Sequence, residues 1–240
     1  MENSVYIGLS QQTAMRRQLD VIANNLANLN TTAFKGEKVL FREYLEQAKG
    51  GQQPLSFVQD YGVQRDTREG RLETTTNPYD VAIDGPGYLT VDTPAGPRYT
   101  RNGHLRINSQ GVLSTADGYP VLDQNSRPIT LNANNGQPTI ALDGTISNST
   151  GRIGRLNLVT FGNEQALDQV GSGLYSTDQT PTPATNSMLQ QGMIESSNVE
   201  PIVEMTKMID LQRSYDASNN LIQADDDRQE KSIQTLGKFN

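Results

Sequence analysis

The chain has 240 residues, a formal net charge of -7, one histidine and no cysteine. The absence of cysteine excludes disulfides, iron–sulfur clusters and thiolate sites, and a single histidine excludes any site that needs two. The acidic balance argues against nucleic-acid binding, and no apolar run is long enough for membrane insertion. We therefore expect no cofactor, no metal site and no catalytic residue.

Helix-breaking residues are confined to the middle of the sequence. All 11 prolines lie between Pro54 and Pro201, and glycine is absent from 9–35 and from 193–236. Because proline and glycine mark turns and interrupt helices, both ends can form long helices. The pattern predicts an α+β protein, in which N- and C-terminal helices pair as a coiled-coil-like stem and the centre is an antiparallel β-domain.

The N-terminal zone, 1–35, predicts a helix from about Ser4 to Leu29. Steps of three and four residues place apolar side chains on one narrow seam, as in a coiled coil. The same pattern also fits a surface helix that lies on the core of its own domain. The apolar seam residues with the clearest spacing are Val5, Met15, Leu19, Ile22, Leu26 and Leu29.

The central zone, 76–195, follows a connecting segment, 36–75, and predicts short antiparallel strands. Its alternating stretches are separated by turn residues every 8–12 positions or so, which is typical of an antiparallel β-domain. One strand is expected at Asp80–Asp84, with Val81 and Ile83 on its buried face. Asn102-Gly103 is typical of a two-residue hairpin turn, because both positions tolerate a positive φ.

The C-terminal zone, 196–240, predicts a second helix with Pro201 in its first turn, where the missing N–H costs little. Three successive aspartates, Asp225 to Asp227, are better explained as a solvated face than as a metal site. The residues assigned to the seam of this helix are Met205, Met208, Leu211, Tyr215 and Ile222.

Three distinctive motifs are spread along the chain. The first is ANNLANLNTTAFK at 23–35, the second combines NPYDVAIDG at 77–85 with YTRNG at 99–103, and the third combines SNV at 197–199, Glu204-Met205 and LQRSY at 211–215. Together, and in this order, they resemble the signatures of the flagellar rod and hook protein family over nearly the whole chain. Two positions depart from the family pattern: Ala33 stands where glycine is usual, and Tyr79 where leucine is usual.

The resemblance implies a structural subunit of the bacterial flagellar basal-body rod, and the opening residues and charged tail look most like those of the proximal rod proteins. Subunits of that family polymerise through their terminal helices into an axial drive shaft in the periplasm. The implied partners are other rod proteins, further copies of the chain and, during secretion, the flagellar type III export apparatus. Export is expected to proceed without a cleaved signal peptide.

The expected subunit interfaces are the two seams together with two amides, Asn25 and Asn28. Both amides fall outside the N-terminal seam, and asparagine is a poor helix former, so its presence there needs a reason. One explanation is a helix C-terminus that frays into a loop. The other, which we expect, is that their side chains hydrogen-bond to adjacent subunits and fix register, as polar residues do in coiled coils.

Other functions fit parts of the sequence. A distal rod or hook-type axial protein would carry the same motifs. A secreted β-rich binding module could use Tyr88, Tyr99 and Tyr119 as a stacking platform, with helical ends for oligomerisation.

An enzyme is disfavoured. His104 has no serine nucleophile motif and no glycine-rich phosphate loop to accompany it. Asp80 and Asp84 would lie roughly 13 Å apart along a strand, which is too far for a retaining carboxylate pair.

Overall fold

The computed structural model describes the backbone of residues 2–46, 55–132 and 136–237. Within the helices and strands, the description of side chains leaves out 2–6, 45–46, 55–57, 229, 232–233 and 235–237.

The chain divides into two compact units, and segments distant in sequence contribute to each. Unit 1 contains Met1–Ala27, Glu37–Asp66 and Glu200–Asn240, whereas unit 2 contains Asn28–Gly36 and Thr67–Val199. The predicted α+β class is confirmed, because a helix lies towards each end and antiparallel strands lie between them.

Unit 1 consists of two helices and a long β-hairpin. Helix α1 spans Glu2–Ala27 and helix α2 spans Pro201–Gly237, so α2 begins at the proline, as expected. Strands β1 (Glu37–Glu46) and β2 (Leu55–Arg65) pair antiparallel, with a bulge between Leu40 and Phe41. The sequence indicated only a connection over 36–75, so this hairpin was missed.

Unit 2 is built from short antiparallel strands and a 3₁₀ helix at Glu164–Ala166. The strands are β3 (Leu72–Thr74), β4 (Val81–Asp84), β5 (Tyr88–Thr93), β6 (Gly96–Thr100), β7 (Leu105–Ile107), β8 (Leu113–Thr115), β9 (Thr139–Ile140), β10 (Thr145–Asn148), β11 (Gly151–Arg155), β12 (Leu158–Thr160), β13 (Asp168–Gln169), β14 (Leu174–Ser176), β15 (Thr182–Pro183), β16 (Met188–Gln191) and β17 (Met193–Glu195). The largest sheet has the order β13-β14-β6-β5-β12-β15, and a second has the order β11-β10-β9. The remaining pairs of unit 2 are β16-β4, β17-β3 and β7-β8.

The core of unit 2 has an aliphatic part and an aromatic part. Val81 and Ile83 are buried in the aliphatic part, and Ala82 between them is buried as well, so both faces of β4 are covered. In the aromatic part, the rings of Tyr99 and Phe161 meet edge to face with centroids 4.7 Å apart. Tyr88 also lies in this part, so neither Tyr88 nor Tyr99 is available as an exposed stacking platform.

The predicted hairpin turn at Asn102-Gly103 is wrong. Strand β6 ends just before it and β7 begins just after it, but β6 lies between β5 and β14, whereas β7 pairs with β8. Gly103 instead lies against β4, where the Val81 N–H donates to the Gly103 carbonyl at 3.0 Å. Glycine is needed here because two backbones approach closely, and not because φ is positive.

Ala33 adopts a left-handed backbone conformation with φ of 58° at the motif position where the family usually has glycine. Its N–H donates to the Glu195 carbonyl at 2.7 Å, which holds the residue in place. The conformation costs alanine roughly 1–2 kcal/mol, and glycine returns about 0.5–1 kcal/mol of that through its freer unfolded state.

We expect Ala33→Gly to raise the free energy of unfolding of unit 2 by up to about 1 kcal/mol, measured by urea unfolding. Ala82→Gly is the control, because Ala82 is a buried strand residue without a positive φ. It should destabilise by at least about 1 kcal/mol. A loss of stability in Ala33→Gly as large as in the control would contradict the strain at Ala33.

Candidate functional site

The two helices contact each other within unit 1 and run antiparallel. The Gln12 side chain donates to Asn219 Oδ1 at 2.6 Å, and Asn25 Nδ2 donates to Glu204 Oε2 at 3.2 Å. Near the start of α1, a Cβ on Gly8 would lie 3.1 Å from Ile222 Cδ1, so the absence of a side chain lets the helices approach closely.

Most of the predicted N-terminal seam lies on the covered side of α1. Ile22 is buried, and Met15, Leu19 and Leu26 are half-buried. Leu29 follows the end of α1 and is half-buried in unit 2. The side chain of Val5 lies outside the described residues.

Helix α1 is covered on a second face that the narrow seam did not predict. Val21 is buried on this helix, although it falls outside the seam. The Ser10 hydroxyl donates to the Val58 carbonyl at 3.1 Å and accepts from the Val58 N–H at 3.2 Å. Helix α1 is therefore covered by the β1–β2 hairpin as well as by α2.

The Asn25 side chain makes its hydrogen bonds inside the subunit, and a role between subunits stays a prediction. It is 3% exposed, donates to the Glu37 carbonyl at 2.8 Å and accepts from the Glu37 N–H at 2.9 Å. With its bond to Glu204, the amide joins α1, β1 and α2. Asn28 accepts from the Thr31 hydroxyl at 3.0 Å, and a role of Asn28 between subunits stays a prediction.

The covered residues of α2 follow the heptad spacing, and one of them is not hydrophobic. Met208, Leu211, Tyr215 and Ile222 are half-buried, whereas Met205 is 53% exposed. Because the steps alternate between three and four residues, the position before Met208 is four residues earlier. That position is Glu204, which is buried.

A second face of α2 exposes large apolar side chains. Ile202, Met205 and Ile209 follow one another at spacings of three and four, and their exposed fractions are 80%, 53% and 50%. We call these three residues the α2 outer face. Contiguous exposed apolar residues of this kind mark interaction surfaces. The helical spacing of Ile202 and Ile209 was visible in the sequence, but the first seam took precedence.

The β1–β2 hairpin also exposes large side chains. The guanidinium of Arg42 lies 5.4 Å from the centroid of the Tyr61 ring and covers part of it. Large apolar side chains exposed side by side are typical of interaction surfaces, so the hairpin is a second candidate surface. The exposed large residues are Leu40, Phe41, Tyr44, Val58, Tyr61 and Val63.

His104 has a structural partner. Its Nδ1 lies 2.9 Å from Asp80 Oδ1, and buried Asp80 also accepts from Thr75 and Asn77 at 2.7 Å each. These bonds fix the turn that precedes β4. Across the ranges that the structure describes, no group of three or more His, Asp or Glu side chains could hold a metal ion. None of the helices in the described ranges is long and apolar enough to cross a membrane.

Three family models match the chain. The model described as "Flagella basal body rod protein" matches residues 6–35, and "Flagellar hook protein FlgE/F/G D1 domain" matches residues 82–148. The model "Flagellar basal body rod FlgEFG protein C-terminal" matches residues 190–235. The matches cover most of α1, the central strands from β4 to β10, and most of α2.

Curated relatives match the chain over its length. It is 39% identical to the flagellar basal-body rod protein FlgF of Caulobacter vibrioides, with 100% of both chains covered. It is 35% identical to FlgF of Mesorhizobium japonicum, with 99% of each chain covered. It is also 32% identical to FlgG of Bacillus subtilis, over 95% of this chain and 96% of the relative. The chain is thus a FlgF-like structural protein rather than an enzyme, and it belongs to the flagellar basal-body rod protein family.

Proposed function

We propose that this chain is a subunit of the proximal rod and polymerises through its terminal helices into the axial drive shaft of the flagellum. The full-length similarity to FlgF proteins supports a place in the basal-body rod. The observation that carries polymerisation is the α2 outer face, because covering its exposed apolar side chains with another protein surface is favourable.

In this proposal the two faces of α2 have different partners. The seam formed by Met208, Leu211, Tyr215 and Ile222 keeps α2 paired with α1, as a coiled-coil-like stem. The outer face, which includes Met205, contacts neighbouring rod proteins or further copies of the chain. The exposed side chains of the β1–β2 hairpin supply a second contact.

The remaining predictions belong to the same proposal. Segments 1–35 and 196–240 form the axial stem, and 76–195 forms an outer β-rich domain. Segment 36–75 connects the stem to that domain. The subunit reaches the periplasm through the flagellar type III export apparatus, without a cleaved signal peptide. The absence of cysteine supports this route, because an unfolded chain in transit cannot then be cross-linked.

A place in the distal rod is the second candidate. Similarity to FlgG of Bacillus subtilis at 32% identity favours it, since both chains are covered almost completely.

Replacing both Ile202 and Ile209 with aspartate is expected to prevent rod assembly without unfolding the subunit. Each replaced side chain forfeits about 1.5–3 kcal/mol of apolar burial at the contact, so association should weaken by more than about a hundredfold. In cells that lack the native protein, the double variant should give neither basal-body rods by electron microscopy nor swimming. Circular dichroism of the purified chain should be unchanged.

Leu221→Asp is the matched control, because Leu221 is 67% exposed on α2 but lies on a different side from the outer face. The control should assemble. Normal rods in the double variant would contradict polymerisation through this face.

A further inference from the structure

Glu195, the last residue of β17, is buried in unit 2 with both carboxylate oxygens engaged. Its Oε1 accepts from Lys35 Nζ at 2.5 Å and from the Gly70 N–H at 2.9 Å. Its Oε2 accepts from Arg101 Nε at 2.8 Å. The side chains of Lys35 and Arg101 are 3% and 4% exposed. One buried anion therefore faces two buried cations.

Both cations also bind backbone carbonyls. Lys35 Nζ donates to the Arg68 carbonyl at 2.8 Å. Arg101 also has a second carboxylate nearby, because its Nη2 lies 3.7 Å from Glu69 Oε1. The planar guanidinium distributes its donors in a fork that an ammonium group cannot reproduce. The carbonyl oxygens that accept from Arg101 are those of Ile83, Gly85 and Gly87.

The same cluster joins the first and the last segments of unit 2. The Ala33 N–H donates to the Glu195 carbonyl at 2.7 Å, and the Asn198 N–H donates to the Phe34 carbonyl at 3.3 Å. Asn198 Oδ1 accepts from the Gly36 N–H at 2.8 Å. Segments 28–36 and 195–199 thus lie side by side, with the three charges beneath them.

We propose that the negative charge of Glu195 is required for segment 28–36 to pack against segment 195–199. We call this packing the closing of unit 2. Without that charge, Lys35 and Arg101 would be two buried cations, with partly exposed Glu69 as the compensating carboxylate. Buried charges that lose their partner are strongly destabilising.

The position of Glu195 in the chain makes this joint a late event. Glu195 lies 160 residues after Lys35 and 94 residues after Arg101, at the end of the last strand of unit 2. A growing or emerging chain therefore holds both cations before it holds their anion. Unit 2 closes only in a nearly complete chain. This device concerns the folding of one subunit and stands apart from the proposed contacts between subunits.

The closing charge is held against protonation. Burial would raise the pKa of Glu195, but Arg101 and Lys35, with the hydrogen bonds from Lys35 and Gly70, outweigh it and hold the pKa below its ordinary value of 4.5. Burial lowers the pKa of Lys35, and Glu195 opposes that change. Since the folded pKa of Glu195 is depressed, its stabilisation is present above the ordinary value and is lost as pH falls towards the folded pKa.

Two variants of the full chain separate charge from shape. Glu195→Gln preserves shape but leaves two buried cations, whereas Lys35→Met leaves a balanced Glu195–Arg101 pair. We expect Glu195→Gln to accelerate hydrogen exchange at the Ala33, Gly36 and Asn198 amides by about a hundredfold or more. Lys35→Met should accelerate it less. Asp143→Asn is the control, because it removes an exposed carboxylate near Arg155 and should leave these amides unchanged.

The proposal would be overturned if Lys35→Met accelerated hydrogen exchange at these amides as much as Glu195→Gln, or more. If unit 2 does not fold in the Glu195→Gln variant, a pH titration of the unaltered chain tests the proposal. Exchange at the same three amides, corrected for intrinsic rates, should accelerate below pH 4.5 while the Leu89 amide in the core stays protected. Protection that persists at all three amides until the whole unit unfolds in acid would overturn it.

Discussion

Gly103→Ala is expected to lower the free energy of unfolding of unit 2 by more than about 4 kcal/mol. A Cβ at this position would lie 1.7 Å from the Val81 carbonyl oxygen and 2.8 Å from its carbonyl carbon. Both atoms belong to the backbone of β4, so they cannot rotate away as the tip of a side chain would. The two segments must separate, which breaks the 3.0 Å hydrogen bond from the Val81 N–H to Gly103.

Urea unfolding followed by tyrosine circular dichroism measures this loss. Gly154→Ala is the control, because a Cβ on Gly154 meets no atom within 4 Å and its φ is not positive. The control should stay within about 0.5 kcal/mol of the unaltered chain. Equal midpoints for the two variants would show that β4 can shift without cost.

Asn25→Ala is expected to destabilise unit 1 by about 2–4 kcal/mol. The change removes two donated hydrogen bonds and one accepted hydrogen bond from a side chain that is 3% exposed. It leaves the Glu37 N–H and carbonyl without this partner, and it deprives the buried Glu204 carboxylate of a donor. Because these groups lie on α1, β1 and α2, one substitution loosens all three elements.

The helical circular dichroism signal during thermal unfolding reports the effect of Asn25→Ala. Asn220→Ala is a suitable control, since Asn220 is an exposed amide on α2 and alanine is a better helix former. We expect the control to unfold at the same temperature or slightly higher. A matching shift in both variants would mean that the Asn25 bonds contribute little.

The two helices were predictable because their evidence is local. The absence of glycine and proline from long stretches at both ends predicted the two helices. The heptad count placed Met208, Leu211 and Tyr215 on the covered side of α2. Met205 lies outside this covered side, because the heptad step before Met208 leads to Glu204, and its place in a subunit interface stays a prediction. The β1–β2 hairpin was missed because charged residues such as Lys38, Arg42 and Glu43 interrupt its alternation.

The buried polar sites could not be predicted, because their partners are set by topology. Asn25 was identified as unusual within its helix, but nothing in the sequence indicates that Glu37 and Glu204 come to it. Lys35, Arg101 and Glu195 are separated by tens of residues and produce no periodic pattern. Gly103 was predicted to lie in a hairpin turn. A glycine that lets its backbone approach a distant strand looks the same in the sequence as a glycine in a turn.

The antiparallel pairing of α1 and α2 affects how the protein can be labelled for imaging. Because Gly8 lies beside Ile222, residues near the two termini are carried at the same end of the helix pair. A fluorescent protein fused to either terminus would therefore crowd the same neighbourhood. Insertion at the exposed turn of Asp117 and Gly118 in unit 2, where a Cβ on the glycine meets nothing within 4 Å, leaves both termini unmodified.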